Sequence, residues 1–158
     1  MIDADSFGWQ PDDVMLHRPP LALLQEIVSC ADGAAIATVL IGPDSSFFQA
    51  DRGVPVWIGI EYMAQTVAVI GGVRARGAGR PAPLGLLIGC HGFASSCSHF
   101  PDGALLRVSV REIVADSEGL GAFECRIDAE GVEVTARLTV YVNSELRLDD
   151  LQSRRRLA

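Results

Sequence analysis

The chain contains no lysine, and all 13 of its cationic side chains are arginines. Without a lysine amine the protein cannot form a Schiff base on its own chain, place a lysine in a P-loop, or carry biotin or lipoyl groups. Its formal net charge of −7 also leaves it without the basic surface that general nucleic-acid binding requires. No nucleic-acid partner is therefore expected.

No export signal and no close-paired metal motif is recognisable in the sequence. The chain starts Met-Ile-Asp-Ala-Asp, which is acidic where a secretory signal is basic, so a cytoplasmic location is expected. Four cysteines are widely spaced: Cys30, Cys90, Cys97 and Cys125. Cys90-His91 with Cys97 and His99 is the one combination that could hold zinc, but adjacent residues of a strand point to opposite faces. We expect reduced thiols that act as small packing residues, and no metal.

Composition predicts a single globular domain. Of the residues, 49% are hydrophobic and 21% are charged, which supports a sizeable core and argues against disorder. We assign residues 1–158 to one domain, with a core at about 13–142 and a polar tail at 143–158. The stretch 53–73 is long enough to cross a bilayer, but glycines, a proline and a glutamate interrupt it, so no membrane span is expected.

Hydrophobic periodicity predicts two strands, one long helix and then four strands. The strands are expected at 26–30, 34–41, 84–95, 104–116, 120–129 and 132–142. The helix is expected at about 56–74, followed by a connector rich in glycine and proline. A single antiparallel sheet must have one face covered, and only this helix can cover it. The predicted fold is α+β, with a curved antiparallel sheet wrapped around one long buried helix.

The predicted helix carries a single carboxylate, Glu61, within the otherwise apolar run from Val56 to Ile70. A helix that is apolar nearly all round is a buried helix, and burial raises the pKa of a carboxyl group towards neutrality, which suits proton transfer. Glu61 is therefore the first candidate for catalysis. The alternative is a structural glutamate that backbone amides or an arginine satisfy.

A histidine is the usual partner of such a carboxylate in acid–base chemistry. His17 lies in an irregular segment that Pro19 and Pro20 hold extended, and a stiff loop can aim an imidazole at a site. The alternative for His17 is a bond to nearby backbone. His91 and His99 are expected to be ordinary sheet or surface histidines.

Two polar features precede or begin the helix. Gly59, in its first turn, allows either close approach of a ligand to unpaired N–H groups or a close contact between helix and sheet. Asp51-Arg52, just before the helix, is expected to form an exposed ion pair of little energetic value.

Three arginines, Arg74, Arg76 and Arg80, cluster just past the helix. They fall in a stretch, residues 62–101, that contains no acidic residue. The patch either docks an anionic partner or belongs to a solvated loop.

Several motifs resemble those of the 3-hydroxyacyl-acyl-carrier-protein dehydratases, which have the hot-dog fold. They are His17-Arg18-x-Pro20, then Phe47-Phe48-Gln49 with Pro55, Gly59, Glu61 and Met63-Ala64-Gln65, and then Phe100-Pro101-Asp102-Gly103-x-Leu105. The resemblance covers about residues 13–142 and is closest, at 57–65, to the ApeP-like dehydratases associated with aryl polyene lipid pathways. It implies a hot-dog dimer with side-by-side sheets, an acyl tunnel at the interface, and catalytic residues drawn from different subunits.

One departure concerns the catalytic histidine of these enzymes. The fatty-acid dehydratases place it in Gly-His-Phe-Pro-Gly after the Phe-Phe pair, whereas this chain has Ala50-Asp51-Arg52-Gly53. Either His17 takes the role from the earlier loop, or the subunit is catalytically reduced and works beside a competent partner.

The resemblance implies dehydration of a 3-hydroxyacyl thioester to a trans-2-enoyl thioester, in fatty-acid-like or aryl polyene lipid biosynthesis. An acyl carrier protein would deliver the acyl group on phosphopantetheine, and no other cofactor is expected. His17 would remove the α-proton, Glu61 would protonate the leaving hydroxyl, and a backbone N–H near Gly59 would polarise the carbonyl. The other candidates are Trp57, Ile60 and Gln65 for substrate binding, Leu86 for the tunnel wall, and Arg74, Arg76 and Arg80 for carrier docking.

Two other functions stay open from the sequence. One is a non-catalytic subunit that shapes the tunnel of an active hot-dog partner, so that the assembly is a homodimer or a heterodimer. The other is a thioesterase on the same scaffold, in which Glu61 or Asp51 activates water.

Overall fold

The computed structural model describes residues 9–143, which form a six-stranded antiparallel sheet curved around one long helix. The elements in chain order are α1 (Pro11–Val14), β1 (Glu26–Ala31), β2 (Ala34–Leu40), β3 (Val54–Pro55), α2 (Gly59–Gly77), β4 (Leu84–Ser95), β5 (His99–Phe100), β6 (Leu105–Ala115), β7 (Leu120–Ala129) and β8 (Val132–Asn143). A 3-10 turn, Val56–Ile58, leads into α2. The predicted α+β hot-dog architecture is confirmed. Apart from Asn143, the predicted polar tail lies outside the described residues.

The sheet has the order β1-β2-β6-β7-β8-β4, and every neighbouring pair is antiparallel. Chain reversal at Asp32-Gly33 joins β1 to β2, and both residues have positive φ, as a tight hairpin turn requires. Within the described sheet, β4 pairs only with β8, so one side of this 12-residue strand has no neighbour. Among residues 9–143, the longest sheet edge without a neighbouring strand is therefore on β4.

Helix α2 is apolar because it fills the inner face of this sheet. On β8, alternate side chains are buried, and they are Val132, Val134, Ala136, Leu138 and Val140. From α2, Tyr62, Met63, Val67 and Ile70 are buried in the same cluster. Burying each such side chain contributes about 1.5–3 kcal/mol. The segment Val56–Gly77 is long and apolar enough to cross a membrane by length and composition, yet 56% of that window is buried inside this domain.

Helix α1 fixes the N-terminal segment against α2. A capping box between Gln10 and Asp13, with proline in the first turn, starts this short helix. The carbonyl of Val14 packs so close to Gly72 that a Cβ there would lie 1.7 Å from it. Glycine at position 72 therefore lets α1 approach α2, and this contact anchors the loop that carries His17.

The strands β3 and β5 form a two-residue pairing at the entrance to α2, in which Val54 faces Phe100 and Pro55 faces His99. Gly53 precedes it with a φ of 92°, and a Cβ on Gly53 would lie 1.9 Å from the carbonyl oxygen of Phe100. Only glycine fits this conformation and this contact. The pairing fixes the loop before α2 against the loop before β6.

Candidate active site

The structure brings His17 and Glu61 together. The Nε2 atom of His17 lies 3.8 Å from Oε1 of Glu61, although 43 positions separate them in sequence. This separation is longer than a hydrogen bond, so both groups can face a third atom placed beside them. Both residues belong to the same chain, whereas the resemblance implied catalytic residues drawn from different subunits; which subunits contribute to a working site stays a prediction.

Gln65 joins Glu61 to the segment that follows His17. Its Nε2 donates to Glu61 Oε1 at 2.9 Å and to the carbonyl of Leu21 at 2.8 Å, while its Oε1 accepts from the backbone N–H of Leu23 at 2.9 Å. Gln65 is 0% exposed, so its carboxamide is fully used within the chain. The prediction that Gln65 binds substrate directly is wrong in this geometry; Gln65 positions Glu61.

Hydrogen bonds from the neighbouring Arg18 also fix the loop that carries His17. The Nη1 atom of Arg18 donates to the carbonyl of Met15 at 2.6 Å and to that of His17 at 2.9 Å. Among the buried side-chain atoms of residues 9–143, Nδ1 of His17 is the one that lacks a hydrogen-bond partner. Because leaving a buried polar atom unpaired costs free energy, the unpaired Nδ1 makes His17 a candidate for a functional position.

Glu61 itself is not buried in this chain, contrary to prediction. Its side chain is 47% exposed, and that of His17 is 35% exposed. The carboxylate stands in the first turn of α2, where Gly59, Tyr62 and Met63 are buried, so Glu61 lies on the face of that turn that the core leaves uncovered. Apolar neighbours in the sequence therefore do not remove water from Glu61, and within residues 9–143 no other surface covers it.

Gly59 has a packing role. A Cβ at this position would lie 3.0 Å from Cδ1 of Ile127 and 3.0 Å from Cζ of Phe100, so glycine permits close contact between helix and sheet. Its backbone N–H points to the carbonyls of Val56 and Trp57 within the 3-10 turn. The prediction that Gly59 offers a free N–H to a ligand is wrong for this residue, and the alternative of helix–sheet packing is confirmed.

The other predicted substrate contacts differ in exposure. Trp57 is 58% exposed and packs against the exposed ring of Phe47, with the ring centroids 5.7 Å apart and the ring planes tilted by 58°. Ile60 is partly buried against the core. Leu86 is exposed on β4 with Leu87 and Ile88. These residues are accessible, so their assignment to substrate or tunnel stays a prediction.

Two of the three predicted carrier-docking arginines have partners inside the chain. Arg74 makes two hydrogen bonds to Glu112 of β6, at 2.8 and 3.2 Å. Arg76 lies over the ring of Trp9 at 5.7 Å and donates to the carbonyl of Asp13. Arg80 is exposed. Arg74 and Arg76 thus tie α2 to β6 and to α1, which the sequence did not indicate.

A second polar group, which the sequence did not predict, lies at the β3–β5 pairing. His99 Nδ1 is 3.0 Å from the hydroxyl of Ser98, and its Nε2 is 3.2 Å from Oε1 of Gln49. Arg52 lines the same surface cleft as His99. The expected ion pair of Asp51 and Arg52 does not form within 4 Å, and no local pattern in the sequence signals that these separate segments meet.

Comparison with known proteins identifies the family. Residues 9–152 match the ApeP-like family, described as ApeP dehydratase. The chain belongs to the ApeP-like dehydratase family. No curated protein sequence is similar enough to match it.

Solved structures agree with the ApeP-like assignment. The ApeI:P dehydratase heterocomplex of Xenorhabdus doucetiae contains a chain that is 28% identical, with a TM-score of 0.81, covering 90% of this chain and 97% of that one. A hypothetical thioesterase protein of Streptococcus pneumoniae, solved with coenzyme A, is 12% identical with a TM-score of 0.60. The match covers 77% of this chain and 88% of that one. Smu.793 of Streptococcus mutans, solved with acetyl CoA bound, is 12% identical with a TM-score of 0.59. The match covers 83% of this chain and 99% of that one. The last two show the hot-dog fold alone.

The thiols of this ApeP-like chain fit a packing role. Burial raises the pKa of Cys30 to about 11 and that of Cys125 to about 12. A buried thiol that stays protonated is a poor nucleophile and a poor metal ligand. Across residues 9–143, no three side chains of His, Cys, Asp or Glu gather in a way that could hold a metal ion.

Proposed function

We propose that this ApeP-like chain dehydrates a 3-hydroxyacyl thioester, delivered on an acyl carrier protein, to a trans-2-enoyl thioester. The observation that carries the proposal is the His17–Glu61 pair, 3.8 Å apart and fixed by the buried Gln65. A base and an acid at this spacing suit removal of a proton from one carbon and of a hydroxyl from the next.

In the proposed dehydration, His17 takes the proton from Cα of the 3-hydroxyacyl group. The electron pair of that C–H bond forms the double bond between Cα and Cβ. The Cβ–O bond breaks, and Glu61 gives its proton to the departing oxygen, which leaves as water. The reaction needs no cofactor beyond the phosphopantetheine that the carrier brings.

Glu61 must start as the neutral acid in this step, yet 47% of its side chain is exposed in the single chain. Removing water from around a carboxyl group favours its neutral form. We propose that a second hot-dog subunit supplies this cover when it pairs with the free edge of β4. The exposed apolar side chains on that strand, Leu86, Leu87 and Ile88, support an interface there. The heterocomplex formed by the relative from X. doucetiae supports a partner that is a different chain.

The test compares the purified chain alone, the chain with a co-expressed hot-dog partner, and the partner alone, each given a 3-hydroxyacyl carrier thioester. Mass spectrometry follows loss of one water. In the assembly, Glu61→Gln and His17→Gln should each lower turnover by about 10²- to 10⁴-fold, the range of general acid–base catalysis. Glu130→Gln, at the exposed β7–β8 turn, is the matched control and should leave turnover unchanged. Unaltered turnover in Glu61→Gln would remove Glu61 from the mechanism.

A second candidate function is that of a non-catalytic subunit beside an active hot-dog partner. It is favoured by Ala50-Asp51-Arg52-Gly53, which stands where the fatty-acid dehydratases carry their histidine. If this chain is non-catalytic, the assembly would dehydrate the substrate at the normal rate when this chain carries Glu61→Gln or His17→Gln. Release of free acid and thiol without enoyl product would instead indicate a thioesterase.

A further inference from the structure

A cleft of about 400 Å³ lies at the β3–β5 pairing and is lined by Arg52, Cys97, Ser98 and His99. It is formed by two loops that the pairing of Val54–Pro55 with His99–Phe100 holds together. It is separate from the His17–Glu61 pair, and none of the chemistry proposed above uses its residues.

The guanidinium of Arg52 has no partner in the part of the chain that the structure describes. Six other arginines there bond to carboxylates or carbonyls, and they are Arg18, Arg74, Arg76, Arg111, Arg126 and Arg137. Asp51, its neighbour, does not reach Arg52 within 4 Å. In a protein whose net charge is −7, an unpaired arginine in a cleft is a local centre of positive charge.

The loop that carries Arg52 is preorganised. Gln49 and Gly53 exchange backbone hydrogen bonds at 2.8 Å, and the N–H of Arg52 donates to the carbonyl of Gln49 at 3.0 Å. Gly53 holds its positive φ against the carbonyl of Phe100. Binding of a ligand to Arg52 therefore does not include the free-energy cost of ordering the loop.

The opposite wall is fixed by a chain of side-chain contacts. The Ser98 hydroxyl and Gln49 Oε1 lie 3.0 and 3.2 Å from the two nitrogens of His99. If Nε2 carries the proton, His99 donates to Gln49 and accepts from Ser98, which commits the Gln49 oxygen and leaves the amide N–H groups of Gln49 free to donate. The cleft thus presents the guanidinium of Arg52 beside the imidazole of His99 and the hydroxyl of Ser98. This combination suits a phosphate group, since a guanidinium binds phosphate oxygens in pairs.

We propose that this cleft binds the phosphate ester of the phosphopantetheine arm during delivery of the acyl group. The identity of the arm rests on the proposed function; the anion site rests on Arg52 and His99. Arg52 precedes Glu61 by nine residues on the segment that leads into α2, so the cleft and the reacting pair are joined by a short, structured stretch of chain.

Binding can be tested without catalysis, using 4′-phosphopantetheine and, as the phosphate-free control, pantetheine. NMR of the full chain, alone and assembled with its partner, follows the three imidazoles; His17→Gln and His91→Gln assign the signal of His99. A saturable shift of His99 is expected with 4′-phosphopantetheine and none with pantetheine. Arg52→Ala should weaken binding at least tenfold, whereas Arg107→Ala, an unpaired exposed arginine on β6, should leave it unchanged. Equal binding by Arg52→Ala, or equal binding of pantetheine, would overturn the proposal.

Two further measurements identify the source of the phosphate and distinguish failure of the phosphate site from failure of the proposed dehydration. Competition by coenzyme A supports recognition of the phosphate ester independently of the carrier, whereas binding of holo-carrier that is unaffected by Arg52→Ala overturns it. In turnover assays, Arg52→Ala should raise KM for the carrier thioester and leave KM for an N-acetylcysteamine thioester, which has no phosphate, unchanged. An equal effect on both substrates would contradict a phosphate site. Absence of dehydration altogether would refute the proposed function and leave the NMR result standing.

Discussion

The buried carboxamide of Gln65 donates to Glu61 across 2.9 Å, one helical turn along α2. The same carboxamide bonds the backbone at Leu21 and Leu23, in the segment that continues from His17. One side chain therefore fixes the carboxylate and the loop of the imidazole relative to each other. The spacing of the candidate acid and base therefore depends on a residue that is fully buried within the chain.

Replacing Gln65 with leucine should separate these two groups. The change removes the partner of the N–H of Leu23 and of the carbonyl of Leu21, both part-buried, and each lost hydrogen bond costs about 0.5–1.5 kcal/mol. We expect a loss of about 1–3 kcal/mol in the free energy of unfolding, faster hydrogen exchange at Leu23, and lower kcat. Thr66→Val is the control, because Thr66 bonds only the carbonyl of Tyr62 within the helix. Unchanged exchange at Leu23 in Gln65→Leu would contradict the role assigned to Gln65.

Replacing Gly59 with alanine should destabilise the domain, even though alanine is the better helix former by about 1 kcal/mol. The new Cβ would lie 3.0 Å from both Ile127 and Phe100, and overpacking of this kind costs about 1–3 kcal/mol. Urea unfolding measures the change, and Ile127→Val, which removes the clashing methyl group, should recover part of it. Gly77→Ala, with nothing within 4 Å of its Cβ, is the matched control. Equal effects of the two alanines would show that the contact at Gly59 is unimportant.

A charge on the free edge of β4 should prevent association without unfolding the chain. Ile88 is 59% exposed at an irregularity of this strand, so Ile88→Arg meets open solvent in the single chain but would be desolvated in an interface. Leu105→Arg is the control, because Leu105 is 58% exposed on β6, away from β4 in the strand order. Circular dichroism checks the fold and co-purification measures assembly. Loss of assembly in both variants, or in neither, would place the interface elsewhere.

Stability should fall at alkaline pH because buried acids resist ionisation. Burial raises the pKa of Cys30 to about 11, and the pKa values of Cys125 and Tyr62 to about 12, whereas in the unfolded chain these groups ionise near 9.0 for thiols and 10.0 for tyrosine. The unfolded state thus releases protons first, so the stability they contribute is complete below about pH 9 and is lost as the pH rises towards 12.

Urea unfolding between about pH 8 and pH 11 measures this loss. No lysine titrates in the interval, so the thiols and tyrosines dominate the slope. A Cys30→Ala, Cys125→Ala double variant should lose less stability over this range than the parent chain. The same slope in both proteins would exclude the buried thiols as its cause.

Long periodic segments could be read from the sequence, whereas short elements and contacts between distant segments could not. Alternation from Val132 to Val142 predicted β8 to within a residue. The four residues of α1 and the two-residue strands β3 and β5 are too short to show a period. The short helix is seen only through its packing on Gly72, and the strands through the glycine contact at Gly53.

The candidate site likewise has residues that the sequence predicted and relationships that it did not. Glu61 and His17 were singled out by residue type and context, and the fold places them 3.8 Å apart. The exposure of Glu61 was not predicted, because an apolar run does not reveal which face of a helical turn the core leaves uncovered. Arg52 and His99 were missed as a pair, since 46 positions separate them and neither stands in a recognisable motif.

Because the imidazole of His17 and the carboxylate of Glu61 come from one polypeptide, an assembly gains one such candidate pair for each copy of this chain it contains. In a one-to-one complex with a different subunit that lacks such a pair, an irreversible inhibitor of the centre would saturate at one equivalent per complex. Two identical copies would take up two. Counting bound inhibitor thus gives the subunit stoichiometry of the working enzyme.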